Sequence, residues 1–131
     1  KCWCGSQGCL EAQVASWALE ELARKEPLFG ESSLAKVEQI DYRAVFNHAA
    51  EGDALAVQLR DKALDTWAAV LINGVHFFDP QKIIIGGGIM ASADVILPAL
   101  QKIIDEQAIQ VASPVQIVVA ELGDGAALVG V

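Results

Sequence analysis

In the run Cys2-Trp3-Cys4-Gly5-Ser6-Gln7-Gly8-Cys9-Leu10-Glu11, three thiols, two glycines and a carboxylate lie within ten residues. Zinc prefers four ligands in a tetrahedron and binds thiolates at about 2.3 Å. Cys2 and Cys4 are two positions apart, so in an extended segment both side chains face the same side. The glycines tolerate positive φ, which allows the loop to turn back and deliver Cys9. The run therefore predicts a metal-binding loop that leads into a helix.

Three other interpretations of the cysteines remain open. A disulfide would leave one thiol unpaired, and three cysteines in 131 residues are few for a disulfide-stapled secreted domain. The cysteines could also be small buried hydrophobic residues, or form a redox loop, although the usual C-x-x-C spacing is absent. A zinc site needs a fourth ligand as well. His48 and His76 lie far along the chain, where packing or exposure is the expected role, so this ligand would be water or would precede Lys1.

The spacing of apolar residues predicts several helices after the loop. The first covers residues 10–25 and buries a stripe that includes Trp17. A short helix follows over residues 42–50. Asp53 then caps a long helix that ends at Asp79-Pro80. The second half of this long helix is apolar on more than one side, which predicts that it is buried.

Two short β-branched runs predict a parallel pair of strands. Residues 82–85 and 115–120 form these runs, and a helix over 93–107, capped by Ser92, lies between them. The continuous apolar run of the first strand is typical of a buried parallel strand. A final helix is predicted to begin at residues 123–125. Two strands make a sheet too small to be stable alone, so we expect its apolar faces to be covered by other polypeptide.

Gly86-Gly87-Gly88 follows the first strand, at the carboxyl end where open α/β sheets bind ligands. Without Cβ atoms the backbone can approach a ligand closely, and the next helix N-terminus favours an anionic or polar group. A tight strand-to-helix turn without any ligand is the simpler explanation from these residues alone. The Lys-Ser/Thr of a phosphate-binding P-loop is absent.

The composition limits the function classes. The formal net charge is −8 at pH 7, so we expect this segment to make no direct contact with nucleic acid. No apolar run reaches the ~18 residues needed to span a membrane. Reduced thiols favour a cytoplasmic location.

Three blocks of sequence, in this order, resemble the ROK family of repressors and sugar kinases. Residues 2–11 resemble the zinc loop of that family. Residues 79–89 are similar to its strand and glycine turn near the nucleotide, and residues 121–130 are similar to its last strand-to-helix junction. The resemblance covers essentially the whole chain. It implies an α/β fold, the C-terminal lobe of an actin-like ATPase (ribonuclease-H-like) fold, incomplete in this chain.

Members of the family are longer than this chain, and their phosphate loop and catalytic aspartate precede the zinc loop. The resemblance implies that residues 1–131 are the C-terminal part of a ROK-type sugar-binding lobe, with a zinc loop at 1–11, a helical region at 12–78 and a strand-helix-strand unit at 82–120. We expect a missing N-terminal half, or further copies in a homo-oligomer, to cover the sheet. The chain alone is expected to lack kinase activity.

The resemblance also implies roles for individual residues. Cys2, Cys4 and Cys9 would hold a structural zinc ion, completed by a histidine that in the family precedes the loop. Glu11 would accept hydrogen bonds from sugar hydroxyls, although its position alone indicates a first-turn carboxylate that favours the helix dipole. The three glycines at 86–88 would hold the adenosine side of ATP.

Two functions follow from the resemblance. The parent protein would be an ATP-dependent sugar kinase that phosphorylates a hexose or amino sugar, with ATP and Mg²⁺ as cofactors and the catalytic base outside this chain. Alternatively, it would be a sugar-responsive transcriptional repressor, whose sugar pocket biases the affinity for DNA. The intact glycine turn favours the kinase, because a sensor has no need to keep ATP. A structural zinc module without a ligand is a third possibility.

Overall fold

The computed structural model describes residues 2–109 and 114–122. This part of the chain contains five α-helices and two β-strands. They are α1 (Leu10–Val14), α2 (Ser16–Lys25), α3 (Tyr42–Ala50), α4 (Ala54–Phe78), β1 (Lys82–Ile85), α5 (Ala93–Gln107) and β2 (Gln116–Val119), with short 3₁₀ turns at Phe29–Glu31, Ser33–Lys36 and Gly88–Ser92. None of these helices combines the length and the apolar composition needed to cross a membrane. The chain divides into two compact units between Thr66 and Trp67, inside α4.

The first unit is a cluster of helices around an apolar core. Its largest fully buried side chains are Leu19, Leu34, Val45 and Leu55, each at most 1% exposed. They come from α2, the second 3₁₀ turn, α3 and α4, so each of these elements gives one face to the core. Burying such a side chain stabilises the fold by about 1.5–3 kcal/mol. Cys2, the first thiol of the cysteine loop, is also buried.

The helix predicted over residues 10–25 is two helices, because the backbone of Ala15 is extended (φ −74°, ψ 146°). The hydroxyl of Tyr42 donates to the carbonyl of Val14 at 2.7 Å and satisfies an acceptor that the break would otherwise leave buried and unpaired. Burial raises the pKa of Tyr42, so its hydroxyl stays protonated and able to donate. Trp17 was predicted on the buried stripe, and the break places it at the surface, 51% exposed.

The helix predicted over residues 42–50 and the Asp53 cap of α4 are confirmed. Asp41 caps α3, and its carboxylate accepts from the N–H of Ala44 at 2.8 Å. Asp53 accepts from the N–H of Ala56 at 2.9 Å. Gly52 joins the two helices with φ +89°, a left-handed conformation that favours glycine. Local chemistry therefore sets both helix starts.

The second unit contains the predicted parallel pair of strands. β1 and β2 run parallel, with Ile83 opposite Ile117. These two side chains pack against a buried cluster of Val75, Ile104 and Val115, supplied by the second part of α4, by α5 and by the start of β2. One face of the sheet is therefore covered by helices.

Two apolar surfaces of the second unit are open in the described residues, which corrects two predictions. Ile84 is 67% exposed, although the sequence indicates a buried strand. Phe77 and Phe78, at the end of α4, are 80% and 82% exposed, although this half of the helix was predicted to be buried. Apolar composition predicts that a surface will be covered, but not which polypeptide covers it.

The helix predicted over residues 93–107 is confirmed, but the capping role of Ser92 is not. The side chain of Ser92 makes no capping hydrogen bond. An N-cap side chain accepts from the helix when its backbone is extended, whereas Ser92 has ψ 23° at the end of a 3₁₀ turn. The final helix predicted from residues 123–125 lies outside the described residues.

Candidate functional site

The three cysteine sulfurs converge on one point. The Sγ atoms of Cys2, Cys4 and Cys9 all lie within 4.8 Å of one another. A tetrahedral zinc ion would hold its sulfur ligands about 3.8 Å apart, so a small closure of the loop suffices to bind the ion. Gly5 and Gly8 have φ +81° and +71°, the positive values that the sequence predicts. The N–H of Gly5 also donates to the Cys2 carbonyl at 3.0 Å, which closes the turn.

Hydrogen bonds make two of these thiols inequivalent. The backbone N–H and then the hydroxyl of Ser6, with further bonds from Cys2 and Cys9, lower the pKa of Cys4 to about 7. For Cys2, the backbone bond from Cys4 lowers the pKa, but the Cys4 and Cys9 side chains and burial together raise it by more. The thiolate is the form that binds a metal. The hydrogen bonds from Ser6 therefore favour the thiolate form of Cys4.

The donor set fits a structural zinc ion that lacks one ligand. All three cysteines are free thiols. Within residues 2–109 and 114–122, no other histidine, cysteine or carboxylate joins the cluster. His48 instead lies with Nδ1 2.7 Å from Ser33 Oγ, and Nε2 of His76 accepts from the N–H of Ile109 at 3.0 Å. Both histidines therefore have partners elsewhere, as predicted from their distance along the chain.

Glu11 is exposed in the first turn of α1, two residues beyond Cys9. The indole N–H of Trp17 donates to Glu11 Oε1 at 3.3 Å. Six positions are about 1.7 turns apart in a straight helix, so these residues would lie on different faces. The break at Ala15 makes the contact possible, and no sequence pattern pointed to it. The bond restrains one carboxylate oxygen beside the cysteine loop.

A cavity of about 360 Å³ lies beside the loop, with Cys2, Ser6, Cys9 and Gln13 among its lining residues. The side-chain amide of Gln13 donates to the carbonyl of Gly8 at 2.9 Å, which ties the loop to α1. Glu11 is not among the lining residues. Trp3, inside the loop, is 91% exposed.

The three glycines follow β1 directly, at the carboxyl end of the strand. Gly87 has φ +93°, which only glycine adopts readily, and its carbonyl accepts from the N–H of Met90 at 3.0 Å. A Cβ atom on Gly86 would lie 3.4 Å from the Cβ of Ala120. Gly88 has neither constraint. The turn itself thus accounts for Gly87, and contact of all three glycines with a nucleotide stays a prediction.

Asp53 is the centre of a polar network of which the sequence predicts only the helix cap. Its carboxylate accepts from the N–H and hydroxyl of Ser33 at 2.7 and 2.8 Å, and from the Ser32 hydroxyl at 2.9 Å, besides the Ala56 N–H. Partial burial raises the pKa of Asp53, but these bonds lower it by more, to well below its usual range. The Ser33 hydroxyl lies between Asp53 and His48, whereas a catalytic triad places the histidine in the middle. The network therefore ties the 3₁₀ turn to the start of α4.

Known proteins resemble the chain over nearly its whole length. The ROK family model matches residues 1–131. The glucokinase of Thermotoga maritima is 30% identical, over 98% of this chain and 43% of that protein. The DNA-binding transcriptional dual regulator NagC of Escherichia coli is 29% identical, over 84% of this chain and 27% of its own length.

The fold of the chain is similar to that of a solved ROK structure. The ROK family glucokinase from Streptomyces griseus in complex with glucose and AMPPNP matches with a TM-score of 0.66 and 29% identity, over 97% of this chain and 44% of that one. The α/β fold predicted from the three sequence blocks, that of the actin-like ATPases, is thereby confirmed. The chain spans less than half the length of each of these relatives. The chain belongs to the ROK family.

Proposed function

We propose that this chain is the C-terminal, sugar- and nucleotide-contacting part of an ATP-dependent kinase that acts on a hexose or an amino sugar. Its relatives include glucokinases and an N-acetyl-D-glucosamine kinase. The observation that carries the proposal is the convergence of the Cys2, Cys4 and Cys9 sulfurs immediately before Glu11. A rigid loop followed by an exposed carboxylate is an arrangement suited to recognising hydroxyl groups.

The cysteines would hold a structural zinc ion, with the fourth ligand supplied by water or by a residue outside the described ones. With a residue as the fourth ligand, bound zinc would supply rigidity and no open catalytic position, whereas a water ligand would leave one position exchangeable. The chain already restrains the same loop by two hydrogen bonds, Gly5 N–H to the Cys2 carbonyl and Gln13 Nε2 to the Gly8 carbonyl. These bonds support the proposal that the loop must keep one shape in order to position Glu11.

Glu11 is proposed to accept hydrogen bonds from sugar hydroxyls, because an ionised carboxylate is a strong acceptor. The bond from Trp17 restrains Oε1 and so reduces the number of orientations that the carboxylate can take. Half of the Trp17 side chain is exposed, and an indole face is a suitable surface for the apolar face of a pyranose. Both features favour a carbohydrate ligand.

The turn formed by Gly86, Gly87 and Gly88 is proposed to face the adenosine side of ATP, with Mg²⁺ on the phosphates. Its position at the carboxyl end of a parallel strand supports this role. The catalytic base would be supplied from outside this chain. We also propose a cytoplasmic location, where the three thiols stay reduced.

A second candidate is the effector-binding part of a sugar-responsive ROK repressor. The similarity to NagC, over 84% of this chain, favours it. In that role the same sugar site would bias the affinity of a DNA-binding region, and the glycine turn would not need to bind a nucleotide.

Isothermal titration of the zinc-loaded chain with glucose, N-acetylglucosamine and AMPPNP tests both candidates. Glu11→Gln is expected to weaken sugar binding at least about tenfold, since a hydrogen bond to a charged group contributes roughly 1.5–3 kcal/mol. Glu26→Gln, at another exposed carboxylate, is the matched control and should bind as the wild type does. AMPPNP binding that Gly88→Ala weakens supports the kinase, because an added Cβ at Gly88 meets nothing within the described chain. Sugar binding without AMPPNP binding supports the repressor. Binding of neither sugar would contradict both.

A further inference from the structure

The backbone and the side chain of Glu11 are both tied to the break between α1 and α2. The backbone carbonyl of Glu11 accepts from the N–H of Ala15, the extended residue of the break, at 2.8 Å. The side chain of Glu11 accepts from the indole N–H of Trp17, on the far side of the break, at 3.3 Å. The direction of the Glu11 carboxylate therefore depends on the geometry of Ala15.

The break is a built feature of the fold and not a frayed helix end. In a continuous helix the carbonyl of Val14 would accept from the N–H of Ala18, four residues later. The N–H of Ala18 instead donates to the carbonyl of Ala15 at 3.0 Å. The hydroxyl of Tyr42 donates to the carbonyl of Val14 at 2.7 Å, so a side chain of α3 satisfies the acceptor that the break takes out of the helix.

Tyr42 is held firmly enough to fix the break. It is the first residue of α3, whose start is capped by Asp41, and its side chain is 3% exposed. Val14 is also 3% exposed, and a buried carbonyl without a partner costs free energy. The hydroxyl of Tyr42 therefore stabilises the broken conformation relative to other arrangements of Ala15.

The broken conformation places the indole of Trp17 beside the carboxylate of Glu11. The two residues are six positions apart, which in a continuous helix separates their side chains by about 120° around the axis. The hydrogen bond from the indole restricts the rotamers of the long Glu11 side chain. Less conformational freedom is then lost when a ligand binds to the carboxylate, and this saving raises the affinity.

We propose that Tyr42 and Trp17 are positioning residues for Glu11, given the sugar-binding role proposed above for that carboxylate. Tyr42 fixes the break at Ala15 from the core, and the break brings the indole N–H of Trp17 to the carboxylate. Neither residue needs to contact the sugar in this role. The affinity for the sugar is thereby linked to a buried hydroxyl on a different helix.

Isothermal titration of the zinc-loaded chain with glucose and N-acetylglucosamine measures the effect on affinity. Trp17→Phe keeps an aromatic ring and removes the N–H, and should raise the dissociation constant roughly 2- to 10-fold, the range set by the cost of ordering one side chain. Tyr42→Phe should raise it by no more than this. The double variant should bind as Trp17→Phe does, because Tyr42 acts only through Trp17. A purely structural role of Tyr42 would lower the melting temperature and leave the dissociation constant of the folded chain unchanged.

The indole N–H signal of Trp17 in a heteronuclear NMR spectrum reports the contact without any sugar. The chain has three tryptophans, and the Trp17 signal is the one that Trp17→Phe removes. This signal should shift in Tyr42→Phe, and also in Glu11→Gln, since an amide oxygen is a weaker acceptor than a carboxylate. Glu26→Gln, at another exposed carboxylate, is the matched control and should leave the signal unchanged.

Different results would overturn the positioning roles and the sugar site. A Trp17 signal that stays unchanged in Tyr42→Phe, or a double variant in which the two effects on the dissociation constant add, would overturn the positioning roles and leave the sugar site in place. A wild type that binds neither sugar would overturn the sugar-binding role of Glu11, and the positioning proposal with it.

Discussion

Asp53→Ala is expected to lower the free energy of unfolding of the first unit by about 2–4 kcal/mol, a figure that follows from the contacts of the carboxylate. Asp53 caps α4 through the N–H of Ala56 at 2.9 Å, and loss of an N-cap costs about 1 kcal/mol. It also accepts from the Ser33 N–H at 2.7 Å and from the hydroxyls of Ser32 and Ser33. Hydrogen bonds to a charged group contribute about 1.5–3 kcal/mol, but the hydroxyls can find new partners, which limits the sum.

Asp41→Ala provides the matched control for this substitution. Asp41 caps α3 through a single exposed bond of 2.8 Å to the N–H of Ala44, so its loss should cost only about 1 kcal/mol. Urea unfolding followed by circular dichroism measures both variants against the wild type. If Asp53→Ala is destabilised no more than Asp41→Ala, the network around Asp53 adds nothing to its capping role and the reasoning fails.

Three further predictions concern pH, a buried hydroxyl and a turn. Folding lowers the pKa of Asp53, so its ionised carboxylate stabilises the folded chain fully above about pH 5 and progressively less as pH falls. The difference in free energy of unfolding between wild type and Asp53→Asn should therefore shrink between about pH 5 and pH 3. A difference that stays constant would argue against this reasoning. Tyr42→Phe leaves the Val14 carbonyl without its partner and should lower stability by about 1–3 kcal/mol, measured by thermal unfolding. Gly87→Ala forces a Cβ into φ +93° and should cost about 1–2 kcal/mol in urea unfolding, whereas Gly88→Ala should be nearly neutral.

The features that the sequence predicts correctly depend on residues close together in the chain. The turn of the cysteine loop follows from Gly5 and Gly8 within a few residues of the thiols. The start of α4 follows from Asp53, whose cap acceptor and donor are three residues apart. The parallel order of β1 and β2 follows from the helix between them. In each case the physical cause is contained in the local pattern.

The features that the sequence does not predict depend on distant partners. The break at Ala15 is accompanied by the bond from Tyr42 to Val14, whose positions are 28 residues apart. The bond from Trp17 to Glu11 exists only because of that break. Gln101 pairs with the edge of β2 across 16 residues of chain, and its sequence neighbours give no sign of this role. Periodicity reports an apolar face and cannot report the partner that completes it.

The metal content of the purified chain tests the central claim most directly. This claim is that Cys2, Cys4 and Cys9 bind a zinc ion that fixes Glu11 in place. Elemental analysis should find about one equivalent of zinc in the wild type and markedly less in Cys9→Ser, in line with the ligand number of structural zinc sites. Cys9→Ser should also unfold at a lower temperature. Absence of zinc from the wild type, or equal zinc content and melting temperature in Cys9→Ser, would contradict the account.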